Sequence, residues 1–365
     1  MNNHNDIKDF LSKKKFKKCL LISGKNSYYV SGANKIFDNL LDKLNCFKYF
    51  KKNLIPEFSE LKEIIKIVHD FKPDLILAIG GGTVIDYAKS ANCLNKEILP
   101  GEIISGKISY NKKAKLCAIP TTAGSGAEVT ENAVLYIKEI KYSVEDKLIK
   151  PDYFFLMPEL IIDSDFKLKA TSGFDAIAQG IESILSIKSN DSSFIYSEKS
   201  LSYSFSNFEK YLKNPNMENT NGMCLAANLS GKAISIARTT APHALSYPFT
   251  SIFNVSHGHA VSLTLNEFIK FNFLNMNRAK NNFDLKKRYE ILFRVSKTNS
   301  INELCDYLNF LKKTANLEGR LKKLNIHLDS NYEQILSGVN LLRLKNNPVE
   351  ITHDDIKKIL EKINK

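Results

Sequence analysis

The stretch Leu75-Ile-Leu-Ala-Ile-Gly80-Gly-Gly-Thr-Val-Ile-Asp86-Tyr-Ala-Lys89 narrows the possible folds more than any other part of the chain. A continuous apolar run of strand length stops at three glycines and resumes with helix-compatible spacing. This predicts a buried strand, a tight turn and a helix N-terminus. Residues without Cβ let the backbone come close to a ligand, and the free N–H groups of the following helix favour an anion, so the stretch is a candidate phosphate cradle. An ordinary Gly-rich turn in an α/β domain would carry the same three glycines, so this reading needs support from elsewhere in the chain.

The flanking sequence supplies the fold. Lys18–Gly24 predicts a first strand, Lys25–Gly32 a polar turn, and residues 33–45 a helix through Ile36, Leu40, Leu41 and Leu44. Cys46–Phe50 reads as a weaker second strand. Phe58–Phe71 reads as an amphipathic helix with Leu61, Ile64, Ile65 and Val68 on one face, ended by Pro73. This βαβαβ order is the repeating unit of a doubly wound parallel sheet. Residues 90–113 show no periodic element. Lys115–Pro120 is another buried strand, running into Thr121-Thr-Ala-Gly-Ser125-Gly-Ala-Glu-Val-Thr130, hydroxyls and glycines placed just past a strand end, where open α/β sheets bind ligands. Val134–Ile137 and Tyr142–Val144 predict an antiparallel pair.

Beyond about residue 165 the pattern is helical, over 170–188, 194–213, 221–239, 259–273, 286–296, 301–312, 331–340 and 354–363. The expected architecture is an α/β domain with a Rossmann-like parallel sheet over 1–160 and an all-α domain over 161–365. No internal repeat or low-complexity linker separates them.

Composition excludes several classes. The formal charge of +13 comes from lysines scattered along all 365 residues, with clusters at Lys13–Lys18 and the C-terminus. No aromatic-interleaved basic stripe points to nucleic acid, and attraction of a small anionic substrate fits the charge better. No apolar run reaches the ~18 residues of a membrane span, and the polar start lacks a signal-peptide core, so no membrane association and a cytoplasmic location are expected. The six cysteines are widely spaced without Cys-x-x-Cys, which reads as reduced thiols rather than a disulfide or zinc framework.

Candidate chemistry lies in the second half. In Thr171-Ser-Gly-Phe-Asp175-Ala-Ile-Ala-Gln179-Gly-Ile-Glu182, Asp175 and Gln179 fall one helical turn apart on one face. Further on, His243, His257 and His259 lie within 17 residues of a chain that has only seven histidines. The oxygen pair and two histidines 14 apart can converge on one divalent metal.

Gly80-Gly-Gly-Thr-Val-Ile-Asp86, Pro120-Thr-Thr-Ala-Gly-Ser-Gly-Ala-Glu-Val-Thr130, Gly173-Phe-Asp175-Ala, and His243 followed by His257-Gly together resemble the iron-containing (group III) alcohol dehydrogenase family. They occur in that family's order over residues 18–275. The resemblance implies a dehydroquinate-synthase-like architecture: an N-terminal dinucleotide-binding domain, a helical C-terminal domain, and a cleft for nicotinamide and metal. It assigns Gly81, Gly82, Thr83 and Asp86 to the pyrophosphate loop and Thr121, Thr122, Ser125 and Asn132 to the second cofactor segment, and Lys141 lies near the place of the family's cofactor-contacting lysine. Asp175, His243 and His257 match three of four metal ligands. A homodimer is expected.

Three departures from the family pattern bear on function. Gln179 stands where the family usually has histidine; its carbonyl is a poorer ligand for Fe(II) or Zn(II), so metal binding is expected to be weakened. Tyr247 replaces a second histidine and is a candidate catalytic proton donor beside His257. Gly24 followed by Lys25 stands where many NAD-preferring members have an aspartate, which favours a 2′-phosphate and therefore NADPH over NADH.

The Gln179 variant, Gly24-Lys-Asn-Ser-Tyr28 and the run Thr239-Thr-Ala-Pro-His243-Ala-Leu-Ser-Tyr247-Pro are similar to the phosphonoacetaldehyde reductase branch. That branch implies reduction of phosphonoacetaldehyde to 2-hydroxyethylphosphonate. Arg238 and Lys232 are its candidate anion-binding residues. A general short-chain alcohol or aldehyde oxidoreductase shares every cofactor and metal motif. A nicotinamide-using lyase of the dehydroquinate-synthase type shares the architecture, and a non-enzymatic nucleotide-binding role would use only the cradle.

Overall fold

The computed structural model describes residues 4–138, 140–279 and 284–365. Its first unit contains, in chain order, α1 (His4–Lys14), β1 (Lys18–Gly24), α2 (Lys25–Val30), α3 (Ala33–Leu41), β2 (Asn45–Lys51), α4 (Phe58–Phe71), β3 (Leu75–Gly80), α5 (Gly82–Cys93), α6 (Pro100–Ser105), β4 (Lys115–Pro120), β5 (Asn132–Ile137), β6 (Ile140–Glu145) and β7 (Tyr153–Phe154). The order β2-β1-β3-β4-β7 is parallel throughout, while β5 and β6 form an antiparallel pair.

The apolar runs form strands because both faces of this sheet are covered. Leu20, Ile22, Ile76, Ala78, Leu116 and Ala118 pack with Leu61, Ile64, Ile65 and Ala88 from α4 and α5. On the other face Cys19, Leu21, Leu77, Ile79 and Ile119 pack with Ile7 and Leu11 of α1 and Phe37 and Leu41 of α3. Each large side chain so buried contributes ~1.5–3 kcal/mol. The chain runs from β1 out to β2 and returns past β1 to β3. The switch point, where open α/β sheets bind ligands, therefore lies at the C-terminal ends of β1 and β3.

The second unit begins at Asp165, the first ending at Ser164, four residues beyond the expected boundary. Asp165 caps α7 by accepting from Leu168 N at 2.9 Å. The unit comprises α7 (Phe166–Leu185), α8 (Asp191–Lys213), α9 (Met217–Ala237), α10 (Ala241–Ser251), α11 (His257–Leu274), α12 (Leu285–Ser296), α13 (Ile301–Thr314), α14 (Leu328–Ser337), α15 (Leu341–Leu344) and α16 (His353–Asn364). Helix α7 packs against α8, α9 and α11 and is buried from Lys169 to Leu185 except at Ser172. No helix among the described residues is long and apolar enough to cross a membrane.

Five helices were not legible in the sequence, one of them α15, a single turn at Leu341–Leu344. Helix α1 anchors a lysine-rich segment through Ile7 and Leu11. The expected polar turn at 25–32 contains α2, where Tyr28 is buried and donates to Asp38 Oδ1 at 2.8 Å. Short α6 opens with Pro100, and the Glu102 side chain accepts Leu99 N–H at 2.9 Å. Helix α10, which carries His243, contains both Pro242 and Pro248. Pro248 has no N–H for the Ala244 carbonyl, and the Asn340 backbone N–H takes that carbonyl at 3.2 Å. A tertiary contact thus repairs the helix.

Candidate active site

In the first unit the glycines close a cradle. A Cβ on Gly80 would lie 2.5 Å from the Val84 side chain, so β3 and α5 pack closely only because none is there. A Cβ on Gly82 would lie 3.0 Å from Ser125 Oγ, and one on Gly81 would lie 3.4 Å from the Thr122 side chain. The space those atoms would fill separates the N-terminus of α5 from the hydroxyls of the second loop, the arrangement a pyrophosphate requires. Thr121 N donates to Gly80 O at 3.1 Å, tying the two segments at their base. The structure therefore brings Gly81, Gly82, Thr122 and Ser125 together.

The other predicted cofactor residues surround or brace this cradle. Gly24 ends β1 and Lys25 opens α2 on the surface. Thr83 Oγ1 donates to Leu54 O at 3.3 Å. Asp86 Oδ2 accepts from Val134 N at 3.0 Å, and burial raises its pKa. Lys89, fully buried on α5, donates to Ala127 O, Thr130 Oγ1 and Asn132 O, each at 2.7 Å, and lies 4.0 Å from Asp86. Asp86 and Lys89 thus fasten the loop and the start of β5 to α5, and Asn132 contributes its backbone carbonyl. Lys141 sits on β6 opposite Tyr136.

In the second unit three helices deliver the predicted metal ligands. Asp175 comes from the middle of α7, His243 from the first turn of α10, and His257 is the first residue of α11. One ligand atom from each lies within 4.8 Å of the others. His243 Nε2 is 3.3 Å from Asp175 Oδ1, and His257 Nε2 is 4.0 Å from the same oxygen. The shorter separation matches the edge of a tetrahedron with metal bonds of ~2.0–2.1 Å. Helix α11 comes this close because its second residue is Gly258, where a Cβ would lie 1.9 Å from Thr171 O on α7.

Glu182, one further turn along α7, sets the chemistry of His243. Its Oε1 stands 2.5 Å from His243 Nδ1, while Oε2 accepts from Thr240 N at 2.8 Å and Thr240 Oγ1 at 3.0 Å. The carboxylate holds the proton on Nδ1 and turns the Nε2 lone pair towards Asp175 and His257, the outer-shell arrangement of a metal-bound imidazole. Nε2 is buried and makes no hydrogen bond among the described residues. Burial alone would lower the His243 pKa, but Glu182 and Asp175 outweigh it and push it up to about 10. A divalent cation at Nε2 satisfies this field without a proton, so the donor set fits a metal.

Gln179 also joins the cluster, through different contacts from those expected of a fourth ligand. Its Nε2 donates to Asp175 Oδ2 at 2.9 Å, and its Oε1 accepts from Ser230 Oγ at 2.8 Å. The Tyr247 ring stacks on His257, with centroids 6.3 Å apart and planes at 27°. Arg238 ends α9 at φ 63° and ψ 175°, a strained conformation for any residue but glycine. Ser186 Oγ donates to Ala237 O at 2.6 Å, Asn346 Nδ2 donates to Thr239 O at 3.0 Å, and Thr240 is held by Glu182. Arg238 is thus pinned two residues from the Glu182 contact. Lys232 lies apart from that anchor, its ammonium 5.9 Å over the Tyr196 ring.

Sequence reasoning assigned no role to Glu182, Lys89 or Gly258. Glu182 had a readable signal, since i, i+4 and i+7 from Asp175 share one helix face. For the other two no local pattern separates their role from that of a surface lysine or a helix-start glycine.

Comparison with known proteins agrees with both halves of this geometry. The family described as iron-containing alcohol dehydrogenase matches residues 2–158, and the C-terminal region of the Fe-containing alcohol dehydrogenase family matches residues 169–364. A phosphonoacetaldehyde reductase from Streptomyces viridochromogenes is 32% identical over 212 residues, 55% of this chain and 54% of that protein. A 4-hydroxybutyrate dehydrogenase from Clostridium kluyveri is 30% identical over 222 residues, 59% of each chain. These alignments thus span little more than half the length of each relative. The crystal structure of sulfoacetaldehyde reductase from Bifidobacterium kashiwanohense, in complex with NAD+, has the same fold, with a TM-score of 0.86 at 24% identity over 99% of this chain and 94% of that one. With family matches to both units, and a glycine cradle and an Asp-His-His cluster where the motifs place them, this chain belongs to the iron-containing alcohol dehydrogenase family.

Proposed function

We propose that this protein reduces a small aldehyde to its alcohol at the expense of NADPH, and that the aldehyde carries an anionic phosphonate group: phosphonoacetaldehyde, giving 2-hydroxyethylphosphonate. The observation that carries the reductase reading is the Asp175–His243–His257 cluster, its first two members buried and His257 half-buried, with Glu182 behind it. The balance is aldehyde, NADPH and one proton in, alcohol and NADP+ out.

When bound, nicotinamide supplies the hydride, and a divalent cation, Fe(II) or Zn(II), supplies the charge that polarises the carbonyl oxygen. Asp175, His243 and His257 would hold the cation. Gln179 orients Asp175, and Glu182 keeps His243 in the ligating tautomer. Gly81, Gly82, Thr122 and Ser125 would hold the pyrophosphate. Tyr247, stacked on His257, supplies the proton that the oxygen takes up.

The phosphonate assignment draws on the similarity to the Streptomyces protein and on Arg238, whose planar fork suits a phosphonate dianion. Lys232 is left outside this role. The similar identity to 4-hydroxybutyrate dehydrogenase favours, as a second reading, a general short-chain oxidoreductase. The six cysteines are all free thiols, which supports a cytoplasmic location, and a homodimer completes the proposal.

Oxidation of NADPH at 340 nm with phosphonoacetaldehyde, propanal and lactaldehyde tests the substrate assignment. Turnover confined to phosphonoacetaldehyde supports it. Preference for either neutral aldehyde replaces it with the general reductase.

A further inference from the structure

We propose that Lys51 is a specificity residue for the dinucleotide, its ammonium at the end of β2 selecting a 2′-phosphate over a 2′-hydroxyl. This rests on the nicotinamide-dependent reading above, and goes beyond it by naming the cation and its place.

Lys51 is the last residue of β2 and pairs in parallel register with Gly24, the last residue of β1. Both therefore lie at the C-terminal edge of the sheet, and Gly24 borders the switch point where ligands bind. The Lys51 side chain runs alongside Gly24, with Cε 3.7 Å from where a Cβ on that glycine would be. The following loop reaches the phosphate cradle directly, since Leu54 O accepts from Thr83 Oγ1 in the first turn of α5. Lys51 thus stands between the end of β1 and a loop anchored at the pyrophosphate-binding helix, where the ribose of a dinucleotide seated in the cradle would lie.

No salt bridge among the described residues neutralises the charge at this place. Lys51 Nζ donates to Asn53 O at 2.5 Å, and among the described residues no carboxylate pairs with it. Its neighbours are paired. Lys52 Nζ is 2.5 Å from Glu63 Oε2, and the Glu60 carboxylate accepts from Lys52 N, Asn53 N, Tyr49 and Tyr87. Partial burial lowers the Lys51 pKa against the weaker pull of Glu60. A half-buried ammonium bonded only to a neutral carbonyl gains most from an incoming dianion. Gly24 provides no acidic acceptor for a 2′-hydroxyl, and the group nearest the place its Cβ would take is the neutral Ser27 hydroxyl, at 2.8 Å.

The test compares dissociation constants of 2′,5′-ADP and 5′-AMP, and of NADPH and NADH, for wild type, Lys51→Ala, Lys51→Arg and Lys51→Glu. Lys52→Ala serves as the control for a neighbouring, carboxylate-paired cation. We expect wild type to favour the 2′-phosphorylated ligand. Lys51→Ala should lose about tenfold of that ratio, almost wholly through weaker binding of the phosphorylated ligand. Lys51→Arg should retain most of the preference, Lys51→Glu should reverse it, and Lys52→Ala should leave it unchanged. Equal weakening of both ligands in Lys51→Ala would make Lys51 a loop staple through Asn53 and overturn the proposal, as would an unchanged ratio. Wild-type protein that binds neither dinucleotide would instead overturn the nicotinamide reading, and the Lys51 assignment with it.

Discussion

Glu182 Oε1 and His243 Nδ1 stand 2.5 Å apart, both side chains buried. Glu182→Gln preserves the volume but offers an amide that can donate to Nδ1, which would move the imidazole proton to Nε2, the ligating atom. Metal affinity is expected to fall roughly 10–100-fold, with dinucleotide binding unchanged. Competitive chelator titration of the two proteins checks it; equal metal affinities would contradict the role given to Glu182.

Gly258 lets α11 touch α7. In Gly258→Ala the new Cβ would sit 1.9 Å from Thr171 O, a backbone atom that cannot rotate away. The helices must separate, carrying His257 with them. Destabilisation of roughly 1–3 kcal/mol is expected, together with weakened metal binding. For a unit of this size each kcal/mol lowers the melting temperature by ~2–4 °C. A variant with wild-type melting and metal affinity would show that the contact does not set the position of His257.

Lys89 braces the cofactor loop from inside. Lys89→Met would strip three acceptors of their shared donor and leave the partly buried Asp86 without its neighbouring cation. Breaking such an arrangement from one side costs ~3–5 kcal/mol. Urea denaturation should show the loss as a lower midpoint, and dinucleotide binding should weaken because Ser125 is no longer held opposite Gly82. An unchanged midpoint would contradict this role.

What the sequence made legible follows from the range of each interaction. The strands of the parallel sheet announced themselves because burial on both faces demands uninterrupted apolar runs, as in Leu75–Ile79. Asp175, His243 and His257 were recoverable because their motifs recur in a fixed order, and the structure brings them together. Helix α10 was not legible, since an interior Pro248 argues against a helix and the compensating donor, Asn340, is far away in sequence. Of the two Gln179 contacts only one was hidden. Its hydrogen bond to Asp175 follows from helical spacing, but Ser230 arrives from another helix. Lys89 reads locally as one more lysine in a lysine-rich chain; only the fold shows it buried against three oxygens.

The most direct measurement is aldehyde-dependent NADPH oxidation by purified protein before chelation, after metal removal, and after Fe(II) or Zn(II) is restored, with bound metal counted in parallel. Activity should collapse on stripping and return as one metal ion binds per chain, and His257→Ala should lose both the metal and turnover while still binding NADPH. Full aldehyde reduction by metal-free protein, or by His257→Ala, would contradict a metal-dependent reduction.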